Sequence, residues 1–148
     1  MQARIDEVAD GRALNILGNL LLEKAGSDDL GGSAAVFLQT VVPGGGPPAH
    51  VHRETDEFFF VLDGEIDVWV GERYARLTSG MSVVLPRGVV HRFDNVTKLP
   101  ARALTLVTPG RGARFFEDVD RARPRLPDDM GKLAAIVARH DIELMPDS

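Results

Sequence analysis

The sequence contains no cysteine among its 148 residues. Disulfide bonds are therefore excluded, and so is every thiolate ligand for a metal ion. A transition metal bound to this chain would have to rely on imidazole and carboxylate groups. Because the sequence holds four histidines, any such site draws on a small set of residues.

Two further absences narrow the class of protein. No uninterrupted apolar run approaches the roughly 20 residues that a membrane helix needs, so no membrane association is expected. The net charge of −5 provides no positive patch for a nucleic-acid backbone, so no nucleic-acid partner is expected.

The N-terminus has acids in its first ten residues and no basic patch before an apolar stretch. It does not resemble a secretory signal, and a cytoplasmic location is expected.

Strand-length apolar or alternating runs fill the sequence between residues 19 and 107. Turn residues separate these runs, above all glycine next to proline, aspartate or serine. Regularly spaced strands without helices between them predict an all-β protein, either an antiparallel sandwich or a barrel. The runs are NLLLEK, SAAVFLQTVV, EFFFVL, EIDVWV, MSVVL, VVHRF and ARALTLV.

The segment after Pro109 has a different pattern. Met130, Leu133, Ala134 and Val137 follow the i, i+3, i+4, i+7 spacing of an amphipathic helix, with acids before it and basic residues after it. A chain of this length fits one domain with one hydrophobic core. We therefore expect an N-terminal arm over 1–18, a barrel over 19–108 and a short C-terminal helical extension within 109–148.

Three of the four histidines lie in or beside strand-like runs. In a strand, His50 and His52 point to the same face, so both can approach one metal ion. Glu57 follows His52 by five residues, which places it on the opposite face unless residues 53–56 bulge or loop. His91 begins another strand after a Pro-Arg-Gly turn. His140, at the end of the predicted helix, is expected to lie at the surface without a role in the site.

These residues form two motifs that resemble those of the cupin superfamily. The resemblance implies a small cupin jelly-roll β-barrel that binds one divalent transition metal per chain. Iron, manganese, nickel, cobalt and zinc all accept imidazole and carboxylate ligands, so the identity of the metal stays open. The first motif is Gly44, five residues, His50-x-His52, four residues, Glu57, six residues and Gly64. The second is Gly80, five residues, Pro86-x-Gly88, two residues, His91, three residues and Asn95. The implied metal ligands are His50, His52, Glu57 and His91.

Strand parity predicts the lining of a substrate pocket beside this metal. If Glu57 faces inward, then Phe59 and Val61 do so too, and His91 brings Val89 and Phe93 inward by the same rule. A pocket that is apolar apart from its metal suits an aromatic or otherwise apolar ligand that chelates through one or two oxygens. For Phe93, simple filling of the barrel is an equal alternative.

Within the superfamily, the sequence is similar to small quercetin-dioxygenase-like bacterial proteins through PPAHVH, LPRGVVHRF, LTLVTPG and the helical tail. This similarity implies a metal-dependent, dioxygenase-type oxidoreductase that acts on a small aromatic or enol-like substrate, with Glu57 as the catalytic base. A non-oxidative cyclase or isomerase acting on polyketide-like substrates is one alternative. A module that binds or senses a small ligand is another.

Outward-facing apolar residues predict a homodimer. Phe58, Phe60 and Leu62 alternate with the inward-facing residues of the same run. Small barrels often cover such faces with a second subunit. The expected partners are therefore a small-molecule substrate and a second copy of the chain.

Overall fold

The computed structural model describes residues 2–145 and is built mainly from antiparallel strands. Within that range, no helix is both long enough and apolar enough to cross a membrane. The strands are β1 Arg12–Ile16, β2 Asn19–Ala25, β3 Ala35–Val41, β4 His50–His52, β5 Asp56–Asp63, β6 Ile66–Val70, β7 Arg73–Leu77, β8 Ser82–Leu85, β9 His91–Asp94, β10 Ala101–Thr108 and β11 Ile142–Leu144. A short 3₁₀ turn at Gly110–Ala113 precedes the helices α1 Phe115–Ala122 and α2 Met130–Ala138.

Two sheets pack face to face to form the barrel. One has six strands in the order β1-β2-β3-β10-β5-β8, and the other has five in the order β11-β4-β9-β6-β7. Both sheets contribute to one apolar core, so their inner faces contact each other. This confirms the predicted all-β jelly roll. The core residues are Val41, Phe59, Val61, Ile66, Val68, Leu77, Ala101 and Ala103.

Each of the seven apolar runs recognised in the sequence contributes a strand, and the predicted helix over residues 130–137 is α2. Three strands lack a sequence signal. β1 and β7 read RALNI and RYARL, in which polar or charged residues break up the apolar pattern, and β11 is only three residues long. Helix α1 was not predicted, although Phe115, Phe116 and Val119 share its buried side.

Parts of the expected arm and tail pack against the barrel. β1 pairs with β2 from Arg12 opposite Glu23 to Ile16 opposite Asn19. This edge strand of the six-stranded sheet therefore lies before the expected boundary at residue 18. The rings of Phe116 in α1 and Phe37 in β3 lie 5.1 Å apart. A second apolar core joins β1, the sheet and both helices. Residues of all three expected segments therefore contact one another in this core.

Candidate metal centre

Glu57 lies on one sheet, and the histidine pair His50 and His52 lies on the other. His50 and His52 lie on β4 in the five-stranded sheet, whereas Glu57 lies on β5 in the six-stranded sheet. Residues 53–55 form a bend between the two strands, which is the interruption that the odd spacing requires. Because the sheets face each other, the Glu57 carboxylate meets the imidazoles across the barrel. His91 on β9 lies directly opposite His50 in the neighbouring strand.

The four side chains converge on one point. One ligand atom from each of them can be chosen so that all four atoms lie within 4.8 Å of one another. The Oε1 atom of Glu57 lies 2.6 Å from Nε2 of His52 and 3.9 Å from Nε2 of His91. The imidazole rings of His50 and His91 are 4.4 Å apart between centroids. This spacing suits a single ion bound between the four residues.

Two atoms at this point have no hydrogen-bond partner within the described part of the chain. They are Nε2 of His52 and Oε1 of Glu57, which are both buried and lie 2.6 Å from each other without forming a hydrogen bond of good geometry. A buried polar atom that is left unpaired costs about 1–3 kcal/mol. A cation that accepts lone pairs from both atoms would remove that cost. Imidazole nitrogen and carboxylate oxygen are donors that divalent transition metals accept, so the residues present fit such an ion.

Backbone carbonyl groups fix the tautomers of two of the histidines. Nδ1 of His50 lies 2.9 Å from the carbonyl oxygen of Pro48, and Nδ1 of His91 lies 3.2 Å from that of Val89. A carbonyl oxygen can only accept, so each Nδ1 carries the proton and donates it. The lone pair of each Nε2 is therefore free to bind a metal, as is usual for histidine ligands.

The imidazole ring of His52 is oriented by a hydrogen bond to a side chain instead of to a backbone carbonyl group. Its Nδ1 lies 3.2 Å from the hydroxyl oxygen of Thr55, which is buried in the bend after β4. Thr55 packs in turn against Gly112 of the 3₁₀ turn, where a Cβ atom would lie 2.0 Å from its methyl group. The 3₁₀ turn that follows β10 thus supports the orientation of a candidate ligand.

The charges of the site favour neutral imidazole beside an ionised carboxylate. Burial, together with the neighbouring imidazoles of His91 and His52, lowers the pKa of His50 to about 3. Burial also lowers the pKa of His91. For Glu57, burial alone acts to raise the pKa, but the imidazoles outweigh it and lower that pKa to about 2. At neutral pH, His50 and His91 therefore have free lone pairs and Glu57 carries a negative charge.

A cavity of about 80 Å³ lies against the four residues. Phe59 and Phe93 line it and stack with their ring centroids 5.1 Å apart. Most of the remaining wall is apolar and comes from the β1–β2 turn, the two helices and β11. These lining residues are Ile16, Leu17, Phe115, Phe116, Val119, Leu133, Val137, Ile142 and Leu144.

Two residues expected in the pocket do not line this cavity. Val61 has the predicted inward parity, but it is fully buried in the core between the sheets, four residues along β5 from Glu57. Val89 precedes β9, so strand parity does not apply to it. Its contribution is the carbonyl group that accepts the hydrogen bond from His91. Parity alone identifies the inner face but not the depth along the strand.

The tail supplies walls that the sequence did not reveal. The Phe115 ring lies 5.7 Å from that of His52, and β11 pairs with β4 so that Ile142 is opposite His52. His140 is partly buried and its Nε2 lies 2.7 Å from a carboxylate oxygen of Asp118, which ties the end of α2 to α1. The spacing of Phe115, Phe116 and Val119 was a usable signal for α1.

Known proteins share the fold and parts of the sequence. The family described as Cupin domain matches residues 37–107. A germin-like protein 3-1 from Oryza sativa subsp. japonica is 32% identical over 70% of this chain and 49% of its own length. The polyketide synthase CurC from Streptomyces cyaneus is 26% identical over 66% of this chain and 64% of its own length. The chain spans 19% and 49% of the length of the first two curated relatives that it matches.

A solved structure is similar over a larger share of both chains. It is described as a sugar phosphate isomerase from a cupin superfamily, from Silicibacter pomeroyi. It is 31% identical, covers 71% of this chain and 69% of its own, and superposes with a TM-score of 0.56. Together with the two motifs, the jelly roll and the convergent ligand set, this similarity shows that the chain belongs to the cupin superfamily.

Proposed function

We propose that the protein is a metal-dependent enzyme that acts on a small substrate able to chelate the metal through oxygen. The observation that carries this proposal is the convergence of three imidazoles and one carboxylate, two of whose ligand atoms are buried without a hydrogen-bond partner in the described chain. Four protein ligands leave coordination positions for substrate on a six-coordinate ion. The metal, when bound, would polarise a substrate oxygen or support reaction with dioxygen.

Glu57 is the residue that we assign as the catalytic base. Its carboxylate is ionised at neutral pH because the imidazoles lower its pKa to about 2, although burial opposes this. It is also the one carboxylate among the residues that line the cavity in the described chain. A proton removed from the carbon next to a substrate carbonyl would pass to a carboxylate oxygen of Glu57 that has left the metal. Such a step suits a substrate that forms an enol.

The dimensions of the cavity limit the size of the substrate. Its volume is about 80 Å³, whereas pockets for drug-sized ligands are typically about 300–1,000 Å³. The wall made by α1, α2 and β11 would have to move to admit a ring system as large as a flavonol. We therefore favour a small enol-like or aromatic molecule over a large polycyclic one.

Two reaction classes fit this site. The first is a dioxygenase-type oxidation, which an apolar cavity next to an ion with open positions would support. The second is a non-oxidative isomerisation or cyclisation, which is favoured by the similarity to a cupin described as a sugar phosphate isomerase and to a polyketide synthase. Substrate turnover under strict anaerobiosis would exclude the oxidation. Stoichiometric oxygen uptake would exclude the non-oxidative reaction.

The proposal as a whole is tested by metal content. Replacement of His52 by alanine removes a ligand, so the metal bound per chain should fall at least tenfold after dialysis. The matched control is His140→Ala, which removes the histidine bound to Asp118 at the end of α2. That variant should retain the wild-type metal content. Elemental analysis of both variants measures the metal bound per chain. Equal metal retention by the two variants would contradict the assignment of His52 as a ligand.

A further inference from the structure

A polar pair interrupts the apolar wall of the cavity. Gln39 on β3 is 7% exposed and Thr105 on β10 is 4% exposed, and both line the cavity. The hydroxyl group of Thr105 donates a hydrogen bond of 3.2 Å to the side-chain oxygen of Gln39. Neither residue belongs to the cupin motifs or to the four candidate ligands.

The strand register places this pair close to the metal centre. On β10, Val107 lies opposite Glu57 and Thr105 lies opposite Phe59, so Thr105 is the diagonal neighbour of Glu57 on the inner face. Diagonal neighbours in a sheet are about 7–8 Å apart, within reach of long side chains. Gln39 lies opposite Ala103, one step further along the same face. A molecule bound to the metal would therefore extend towards the Gln39–Thr105 pair.

The hydrogen bond to Thr105 uses the carbonyl half of the Gln39 amide. No hydrogen bond among residues 2–145 involves its NH₂ group, although an amide nitrogen can donate two. The Gln39 side chain is 7% exposed and lines the cavity, and its nitrogen is not one of the fully enclosed atoms without a partner, so a molecule in the cavity can reach it. A donor on the wall of a ligand cavity is available to a ligand that binds there.

We propose that Gln39 is a substrate-binding residue that donates its NH₂ group to a second oxygen of the substrate, and that Thr105 orients the amide for this purpose. The substrate class is then a small carboxylic or keto acid with two separated oxygen groups. One of these oxygen groups binds at the metal and the other accepts from Gln39. This inference rests on the proposed function because it requires a metal-bound first oxygen.

Carboxylate probes of matched chain length test the proposal. Acetate, propionate and butyrate carry one carboxylate group, and oxalate, malonate and succinate carry two on chains of the same length. Calorimetric titration of the Mn²⁺-loaded protein should show that at least one diacid binds tenfold or more tightly than its monoacid. Gln39→Met removes the donor but keeps an unbranched side chain, and it should abolish this preference without changing the affinity for the monoacid.

A second pair of variants isolates the orienting role of Thr105. Thr105→Val keeps the shape of the side chain but loses the hydroxyl group, and it should reduce the preference for the diacid. Thr108→Val is the matched control on the same strand, because the Thr108 hydroxyl donates to the backbone carbonyl of Ser33 outside the cavity. That control should keep the wild-type preference.

The possible results separate this inference from the proposed function. If the diacid preference survives in Gln39→Met, or if the wild type shows none, the subsite does not exist, while metal content and monoacid binding still support the metal enzyme. If the wild type binds no metal, both proposals fail. Loss of the preference in Gln39→Met, with metal content unchanged, supports the subsite.

Discussion

At the level of single residues, the three imidazoles differ in how they are held. His50 and His91 each donate to a carbonyl oxygen two residues earlier in the chain. A backbone carbonyl is present whatever the side chain, so substitution cannot remove it. The hydrogen bond between His52 and Thr55 is made by a side chain. Thr55 is therefore the position at which the support of a ligand can be changed without touching the ligand itself.

Thr55→Val should weaken metal binding about 10–100-fold, the usual cost of losing an outer hydrogen bond to a ligand histidine. Valine has almost the same shape as threonine, so the packing against Gly112 is kept and the fold should be retained. Thr55→Ser is the control, because it keeps the hydroxyl group. Competition with a chromophoric chelator measures the affinity for Zn²⁺, and equal affinities for the valine variant and the wild type would refute the supporting role.

The pair between Asp67 and Arg76 gives a pH-dependent contribution to stability. Asp67 is buried on β6, and its carboxylate accepts a hydrogen bond of 2.8 Å from the Arg76 guanidinium on the adjacent β7. The hydrogen bond from Arg76 lowers the pKa of Asp67 below its ordinary value. The ionised form is therefore favoured in the folded state. The stabilisation is present above the pKa of the unfolded chain, about 3.9, and is lost as the pH falls through the lower pKa of the folded state.

Asp67→Asn should accordingly reduce the free energy of unfolding at pH 7 by about 1–2 kcal/mol, a value kept small because Arg76 is half exposed. The difference from the wild type should be smaller at pH 2.5, which lies below the ordinary pKa of about 3.9. Asp63→Asn is the matched control, since Asp63 pairs with Arg102 at the exposed surface and should contribute under about 1 kcal/mol. Urea titrations at both pH values measure this. A loss in Asp67→Asn that is the same at pH 7 and pH 2.5 would contradict the electrostatic origin.

The sequence was informative about the ligands but not about the depth of the cavity. The spacing of the two motifs and the parity argument identified the four residues that converge, together with Phe59 and Phe93 in the wall. Val61 and Val89 illustrate what parity cannot provide. The side that a residue faces follows from an alternation of two, whereas its distance from the metal depends on the register between strands.

At the level of elements, the bend over residues 53–55 is what makes the site possible. It transfers the chain from the five-stranded to the six-stranded sheet, so that consecutive strands present ligands to each other across the barrel. The need for this interruption followed from the odd spacing between His52 and Glu57. Its consequence, a change of sheet, did not follow, because spacing contains no information about which strands pair. The sequence likewise does not show that β11 pairs with β4 or that α1 packs over the cavity.

The 3₁₀ turn after β10 is a second element on which the site depends. A methyl group at Gly112 would lie 2.0 Å from Thr55 and 3.1 Å from Val107. Gly112→Ala should therefore displace Thr55 and lower the stability by about 1–3 kcal/mol, the usual range for overpacking. Metal affinity should fall as well, because Thr55 orients His52.

A glycine in α2 is the matched control for this substitution. A Cβ atom at Gly131 would have no neighbour within 4 Å, so Gly131→Ala should stabilise the helix by up to about 1 kcal/mol. Thermal unfolding and chelator competition compare the two variants. Wild-type stability and metal affinity in Gly112→Ala would show that the turn does not support the bend.

At the level of the whole molecule, the six-stranded sheet has two apolar faces. The inner one forms the core and the cavity. On the other, the cross-strand pairs form two rows, Leu38 beside Leu104 beside Phe60, and Val36 beside Leu106 beside Phe58. Val84 extends the second row onto the edge strand β8. We call these seven residues the outer apolar face, and an apolar surface of this kind on a protein typically marks an interface.

We propose that a second copy of the chain covers the outer apolar face. The ion pairs Asp63–Arg102 and Asp56–Arg87 lie at the two ends of β5 and give the face a charged rim that contains both signs. A patch with both signs at its rim can be complementary to itself, which is what a twofold interface requires. Polar rims around apolar centres are the usual composition of protein interfaces.

Phe58→Lys should convert the predicted dimer to a monomer. Phe58 is 36% exposed in the single chain, and Val84 beside it is 64% exposed, so a lysine at position 58 would place a charge from each subunit in the proposed interface without disturbing the core. Leu99→Lys is the control, because Leu99 is 71% exposed but lies in the loop before β10, away from the outer apolar face. Light scattering at micromolar concentration should give twice the chain mass for the wild type and for Leu99→Lys, and the chain mass for Phe58→Lys. A monomeric wild type would refute the dimer, and a dimeric Phe58→Lys variant would place its interface elsewhere.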